Sequence, residues 1–279
     1  MGCKILEDKK GERELIYVGN IKKKDDNVFS CKIAGGNLER FMFSPDGCIL
    51  KQSKKTEMEF YIDISKGSNS LFFAENNLIR SFVPKFYEII IQNEKKWIKM
   101  ENVAAKITHA SSFDIILWKK SFLPDDPPHK ISSKSETDKS SISFLHGIKF
   151  GGLILMYDKE SCFQKLNRDD SHTKNSKEYI SLLFKRFLSY SNNEKINKDA
   201  KEFYLNFITG LLNLFEKQQI SRCFFNSSLL FVLSNTINKY DIRWIDFENV
   251  WPCKSLKCDV DDGMITGLRT LYSIITSIN

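Results

Sequence analysis

Arg243-Trp244-Ile245-Asp246-Phe247 is an apolar strand that carries one carboxylate to its end. An acid set among Trp244, Ile245 and Phe247 is costly to strip of water unless a cation or a hydrogen-bond network meets it. Two readings follow. Asp246 is either a buried acid capping a turn or a ligand to a hard cation such as magnesium, which takes a few carboxylate oxygens together with water and phosphate.

Working outward, the C-terminal stretch from Gly267 to Ile278 predicts a helix with Leu268, Leu271, Ile274 and Ile275 inward. Residues 178–219 predict two core-facing helices. Ile180, Leu183, Phe184 and Phe187 mark the first, and Phe203, Phe207, Leu211, Leu214 and Phe215 the second. Upstream, short apolar runs alternate with turn signals: 15–18, 28–31, Arg40-Phe41-Met42-Phe43 and Cys48-Ile49-Leu50. Ser44-Pro45-Asp46-Gly47 between the last two is a hairpin turn, so these runs predict antiparallel strands. Thr56 to about Lys66 has helical spacing, with Met58, Tyr61 and Ile62 on one side. Phe86–Ile91 and Trp97–Met100 form a further strand pair, and Ser112–Trp118 another strand. Residues 124–142 and 158–178 are rich in polar residues and predict two loops. No internal repeat is present.

Ser227-Ser228-Leu229-Leu230-Phe231, then Ile245-Asp246-Phe247, then Asp261-Asp262-Gly263 leading to Gly267-Leu268 stand in a fixed order. With Asp46–Gln52, Glu57-Met58-Glu59-Phe60-Tyr61 and Ile98–Val103, this pattern resembles the inositol polyphosphate kinase family of trisphosphate 3-kinases, multikinases and hexakisphosphate kinases. The resemblance covers most of residues 30–275 and is weakest between about 125 and 220. It implies an α+β, two-lobed kinase-like fold with an antiparallel sheet in each lobe and helices in the second. Residues 1–100 form the N-lobe, 101–105 the hinge and 106–279 the C-lobe, with ATP in the cleft between the lobes and a basic substrate-binding segment at about 119–140.

Phosphoryl transfer asks a protein chiefly to position groups and to place cations on the phosphates. By the resemblance, Lys51 reaches the ATP phosphates, Glu57 holds Lys51, and Asp246 binds Mg2+; Lys51 and Asp246 are the catalytic pair. The Glu101 carbonyl and the Val103 amide read adenine, and Asp114 binds the ribose hydroxyls. Read without the resemblance, Lys51 is a surface lysine at a strand end, Glu57 an acid complementing a helix dipole, and Asp114 a structural acid on a strand. Ser227 and Ser228 match the family's paired serines, which by the resemblance pin the strand before the metal site. Asp261 braces the last helix.

The chain departs from the family twice. The signature PxxxDxKxG reads Ala110, Asp114, Ile116 and Trp118 here, so only the acid survives. Ile116 cannot neutralise charge developing on a phosphoryl group, and Trp118 fills space that glycine leaves open. After Asp246-Phe247 stands Glu248-Asn249 where multikinases have Ala-His. Either other cations compensate, with Lys119, Lys120, Lys130 and Lys134 clamping a phosphorylated inositol, or the chain binds nucleotide or inositol phosphate with little transfer. These lysines read equally as a solvated basic loop, and so do Lys165, Arg168, Lys174 and Lys177.

Composition bounds the rest. A net charge of +7 over 279 residues favours acidic partners, and 42% apolar content suffices for a core. No apolar run is long enough for a membrane span. Met1-Gly2-Cys3 hints at lipidation, but Leu6 stands where myristoylation wants Ser or Thr. Seven cysteines without CxxC spacing suit free thiols in a reducing compartment better than a disulfide frame or a zinc site. Cys253 and Cys258 read as structural or surface thiols. The four histidines have no metal spacing. A protein kinase is disfavoured by the lack of GxGxxG, HRD and DFG, and no nucleic-acid-binding motif is present. The expectation is a monomer in the cytoplasm, the nucleus or both, using ATP and Mg2+ on an inositol polyphosphate.

Overall fold

The computed structural model describes residues 40–44, 46–66, 70–92, 95–120, 122–139, 141–157, 162–167, 176–189, 195–256, 258 and 261–279, without the side chains of 137, 157 and 162–167. The strands expected at 15–18 and 28–31 and the N-terminal Gly2-Cys3 lie outside these residues. So do Arg168 and Lys174 of the second basic stretch.

The turn at Ser44–Gly47 does what its residues require. Gly47 takes φ +79, which its missing Cβ permits, and its amide donates to Ser44 O at 3.1 Å. This closes a hairpin between β1 (Phe41–Phe43) and β2 (Cys48–Gln52). A second hairpin, β3 (Phe86–Gln92) and β4 (Lys95–Glu101), completes an antiparallel sheet in the order β1-β2-β4-β3. Two helices, α1 (Lys55–Ser65) and α2 (Phe73–Ile79), fall between the hairpins. In α1 the residues Glu57, Met58, Phe60, Tyr61 and Ile64 are buried, the i, i+3, i+4 stripe of a helix packed on a core.

The second sheet starts with β5 (Ser111–Leu117), followed by α3 (Pro128–Asp138), α4 (Ile142–His146), β6 (Ile148–Tyr157) and β7 (Cys162–Asn167). After α5 (Lys177–Leu188) and α6 (Lys198–Glu216) come β8 (Arg222–Phe224), β9 (Ser227–Ser234), β10 (Lys239–Ile245) and β11 (Val250–Pro252). A 3-10 turn (Cys253–Leu256) leads to α7 (Asp262–Ser277). The antiparallel order is β10-β9-β5-β6-β7, with β11-β8 a separate ribbon.

One face of this sheet is the main core. Phe113, Ile115 and Leu117 of β5 are fully buried with Leu229, Phe231, Ile242 and Trp244, against Phe184 and Phe187 of α5 and Tyr204 of α6. Each such side chain contributes roughly 1.5–3 kcal/mol of apolar transfer. Because side chains alternate along strands, the opposite face carries Ser112, Asp114 and Ile116 of β5. Their cross-strand partners Leu230 and Ser228 lie on β9, and beyond them Arg243 and Ile245 lie on β10. That face runs out at Asp246. The free edge of β10 is met by the first part of the chain, where Trp244 N donates to Phe82 O at 2.8 Å.

The structure corrects four expectations. Residues 124–142 are not a loop: α3 and the start of α4 occupy them. Helix α3 opens on proline, whose fixed φ suits a first turn, and it is polar nearly all round, so no apolar period betrays it. Within the expected loop 158–178 lies strand β7. The inner face of α6 is Tyr204, Ile208, Leu211 and Phe215, one position round from Phe203 and Phe207. Those two pack at the margin on Tyr240 and Phe82. Helix α7 begins at Asp262, because Asp261 Oδ1 accepts from Met264 N at 3.0 Å and caps it there.

Candidate active site

Strand β2 enters the interior at Lys51, which is 5% exposed. A buried ammonium needs paired charge, and it has two partners. Its Nζ lies 2.8 Å from Glu57 Oε1, six residues on in α1, and 2.5 Å from Asp246 Oδ1, across from the other sheet. Burial works against the ammonium, but the charges of Asp246 and then Glu57 outweigh it and hold Lys51 well above the usual lysine range. Glu57 is fully buried, and its Oε1 also accepts from Phe247 N at 3.1 Å. Its Oε2 accepts no hydrogen bond among the described residues.

Asp246 is the first residue after β10 and sits at φ +66, a left-handed conformation that Asp tolerates better than most residues. The turn releases the carboxylate from the apolar strand, leaving the side chain 37% exposed while Trp244 and Phe247 stay buried. Behind it, Phe247 packs on Phe60 with ring centroids 4.1 Å apart. Trp244 donates its indole N–H to Ser227 Oγ at 2.9 Å, which ties β9 to β10 one residue before the turn. One Asp246 oxygen is anchored by Lys51, and the other meets no protein donor among the described residues. A half-exposed, singly anchored carboxylate fits a hard divalent cation that completes its shell with water and phosphate.

The expected hinge follows β4. The side chain of Glu101 is not free. It accepts from Lys85 N at 3.2 Å and from Lys106 Nζ, and lies 4.0 Å from Arg243. Burial pushes the Glu101 carboxyl up, but Lys106 and the Lys85 amide overcome it and leave it below the usual range. Val103 is buried with Ile107 and Val232 against Leu230, the cross-strand neighbour of Asp114. The turn after β4 therefore lies over the sheet face that bears Asp114. Asp114 itself is buried at a β-bulge, and the backbone of Gly151 passes so close that a Cβ there would fall 2.7 Å from its carboxylate.

The degenerate signature has become an apolar contact. Ile116 packs against a buried group containing Trp118, Phe225, Cys223 and Cys253, with the Trp118 and Phe225 ring centroids 4.2 Å apart. Three of the four lysines expected to form the clamp are paired with acids. Lys119 pairs with Asp262 at 2.6 Å; Lys130 pairs with Asp126, and Lys134 lies 3.8 Å from the same carboxylate. Lys130 and Lys134 share a face of α3, one turn apart. Lys120 lies over the Phe122 ring, 5.7 Å from its centroid.

Three further features escaped the sequence reading. Glu248 is matched by Arg40 and by Lys54 at 3.4 Å, both from the first part of the chain. Arg222, on β8, is buried with Glu75 at 2.5 Å and Asn76 at 2.5 Å on α2, and stacks over Phe72 with its guanidinium carbon 4.5 Å from the centroid. Cys223, Cys253 and Cys258 come together although 30 residues separate the first two. Only Glu248 carried a signal, as a departure from the family pattern; the other contacts join distant residues with no local motif.

Comparison with known proteins agrees with this arrangement. The inositol polyphosphate kinase family model matches residues 97–276. Among solved structures, the chain is similar to the inositol phosphate multikinase Ipk2 of S. cerevisiae, determined in complex with ADP and Mn2+. The two share 16% identity at a TM-score of 0.63, over 82% of this chain and 98% of that one. A second inositol phosphate multikinase structure shares 20% identity at a TM-score of 0.61, over 80% of this chain and 99% of the other. No curated protein matches the chain in sequence. Antiparallel sheets, the order of motifs and a match over most of the chain lead to one assignment: the chain belongs to the inositol polyphosphate kinase family.

Proposed function

We propose that this protein phosphorylates an inositol polyphosphate at the expense of ATP, with Mg2+ held by Asp246. The observation that carries the reading is Lys51, whose ammonium is suspended between Glu57 of its own half and Asp246 of the other. A bound cation at Asp246 would draw negative charge off the nucleotide phosphates. Lys51 has the reach and the charge to turn from Asp246 towards those phosphates while Glu57 keeps hold of it. Glu57 also fixes the backbone at Phe247 and so sets where the Asp246 carboxylate points. We place the adenine against the turn at Glu101–Val103 and the ribose by Asp114, with residues 1–100 as the N-lobe, 101–105 as the hinge and 106–279 as the C-lobe. Lys119, Lys130 and Lys134 would take the substrate phosphates by exchanging their present acidic partners for phosphate oxygens, and Lys120 by leaving the Phe122 ring.

A second reading has a specific observation behind it. Ile116 and Trp118 bury apolar surface where the family signature supplies a lysine and a glycine. That favours a chain that holds nucleotide or inositol phosphate and transfers phosphate poorly.

One experiment separates the two readings. Wild type and Asp246→Asn are incubated with ATP, Mg2+ and a panel of inositol phosphates, with product separation and nucleotide binding measured in parallel. The kinase reading requires product from wild type, and loss of both turnover and Mg2+-dependent nucleotide binding in the folded variant. Bound ATP with no product from any substrate would establish the second reading. Undiminished nucleotide affinity and turnover in Asp246→Asn would remove the metal role altogether.

A further inference from the structure

Strand alternation gives β8 two chemistries. Phe224 turns into the aromatic core with Phe60, Trp244 and Phe247, and Cys223 turns the opposite way. On that side Trp251 of β11 is its cross-strand partner, and the chain after β11 doubles back beneath it. Cys253 N donates to Ser221 O at 2.8 Å, and Cys258 N to Cys253 O at 3.2 Å. These bonds bring three thiols to one point. Cys223 Sγ lies 2.8 Å from Cys253 Sγ and 3.5 Å from Cys258 Sγ, and all three sulfurs fall within 4.8 Å of one another. Cys223 and Cys253 are buried, while Cys258 is half-exposed, so the group can be reached from solvent.

We propose that Cys223, Cys253 and Cys258 are a thiolate site for a zinc ion, separate from the nucleotide site. Three soft donors converging from a strand, a 3-10 turn and a loop match what zinc selects. A metal about 2.3 Å from each sulfur sets them roughly 3.8 Å apart, so the closest pair must spread by about 1 Å, which side-chain rotation allows. Trp118, Phe225 and Ile116 pack around the thiols and supply the apolar surroundings of a shielded site.

The nearest carboxylate does not compete for the role of fourth ligand. Asp261 spends one oxygen on Phe224 N at 2.7 Å and the other on Met264 N. Among the described residues the metal-ligating group stops at the three cysteines. The ion would fasten residues 253–258 to β8. Those residues belong to the connection between β11 and the cap of α7, so the site would tie that connection down.

The test is zinc content of the full chain, purified under a thiol reductant and without chelator, and its affinity by competition with a chromogenic chelator. The expected result is one equivalent of zinc per chain. Replacement by Co2+ should give intense thiolate-to-cobalt absorption, which a carboxylate site such as Asp246 does not produce. Cys258→Ser, which alters the least buried thiol, should weaken zinc affinity at least tenfold and cut that absorption. Cys48→Ser, in β2, should leave both unchanged. The proposal is overturned if folded wild type takes up no zinc from a buffered zinc solution, if the cobalt protein lacks the thiolate band, or if mass spectrometry of anaerobically prepared protein finds Cys223 and Cys253 joined as a disulfide.

Discussion

Glu57 and Phe247, 190 residues apart, are joined by a hydrogen bond from the Phe247 amide to a fully buried carboxylate oxygen. The same oxygen accepts from Lys51. One acid thus fixes both the ammonium and the turn that aims Asp246. Glu57→Gln keeps the shape and removes the charge. A charge-assisted bond to a buried partner is worth about 1.5–3 kcal/mol, so on the proposed kinase reading catalytic efficiency with ATP should fall roughly 10- to 100-fold. Steady-state kinetics would measure it, and an unchanged kcat/KM would show that Lys51 needs Asp246 alone.

Gly147 and Gly267 cross backbone to backbone. A Cβ built on Gly267 would lie 2.4 Å from Gly147 O, and one on Gly147 would lie 2.5 Å from Gly267 N. Neither contact can be relieved by turning a side chain. Gly267→Ala must push α7 away from the start of β6 and should cost about 2–4 kcal/mol. Urea unfolding reads the loss. A variant within about 0.5 kcal/mol of wild type would mean that the helix yields freely.

Asp261 is buried at the cap of α7, and burial pushes its carboxyl up to about 6 against the amides of Phe224, Met264 and Gly263 that favour the charged form. Between about pH 4 and pH 6 the folded chain therefore holds a proton that the unfolded chain has released. The contribution of this group is greatest at the acid end and falls as pH rises through about 6. Asp261→Asn removes the titration but leaves an amide nitrogen facing a donor, so it is less stable than wild type throughout. Its deficit should shrink as pH rises from about 4.5 to 7 in paired denaturation curves. A deficit that widens over that range would reverse the sign assigned to Asp261.

What could be read from the chain and what could not divides along physical lines. The hairpin at Gly47, helix α1, the strand carrying Asp114 and the stripe of α5 are local patterns of period 2 or 3.6, and each is found where its pattern puts it. Helix α3 was invisible because Pro, Ser, Lys and Asp leave it no apolar face. In α6 the expected Leu211 and Phe215 do face inward, but in its first half Tyr204 and Ile208 replace Phe203 and Phe207, because apolar residues ring that helix and only the sheet beneath decides which of them turn inward. At the site, family motifs nominated Lys51, Glu57 and Asp246, which the fold brings together. Arg40, Lys54 and Arg222 were missed since they meet their partners only through tertiary packing. The cysteines at 223, 253 and 258 look unrelated by spacing until β8 and the turn after β11 are laid side by side.

On the proposed kinase reading, Asp126 competes with a phosphorylated substrate for the lysines of α3. Lys130 holds its carboxyl below the usual range, and Lys134 lies beside it, so in the free protein the two lysines are partly neutralised. A phosphate displacing this acid must compete with it. Asp126→Asn should leave kcat near wild type and lower KM for the inositol polyphosphate several-fold, with a steeper salt dependence as more uncompensated positive charge meets the substrate. Replacing Lys130 and Lys134 together by Met should raise the same KM at least tenfold and leave KM for ATP unchanged. If neither change moves the inositol KM, the lysines of α3 are a solvated surface and the substrate is gripped elsewhere.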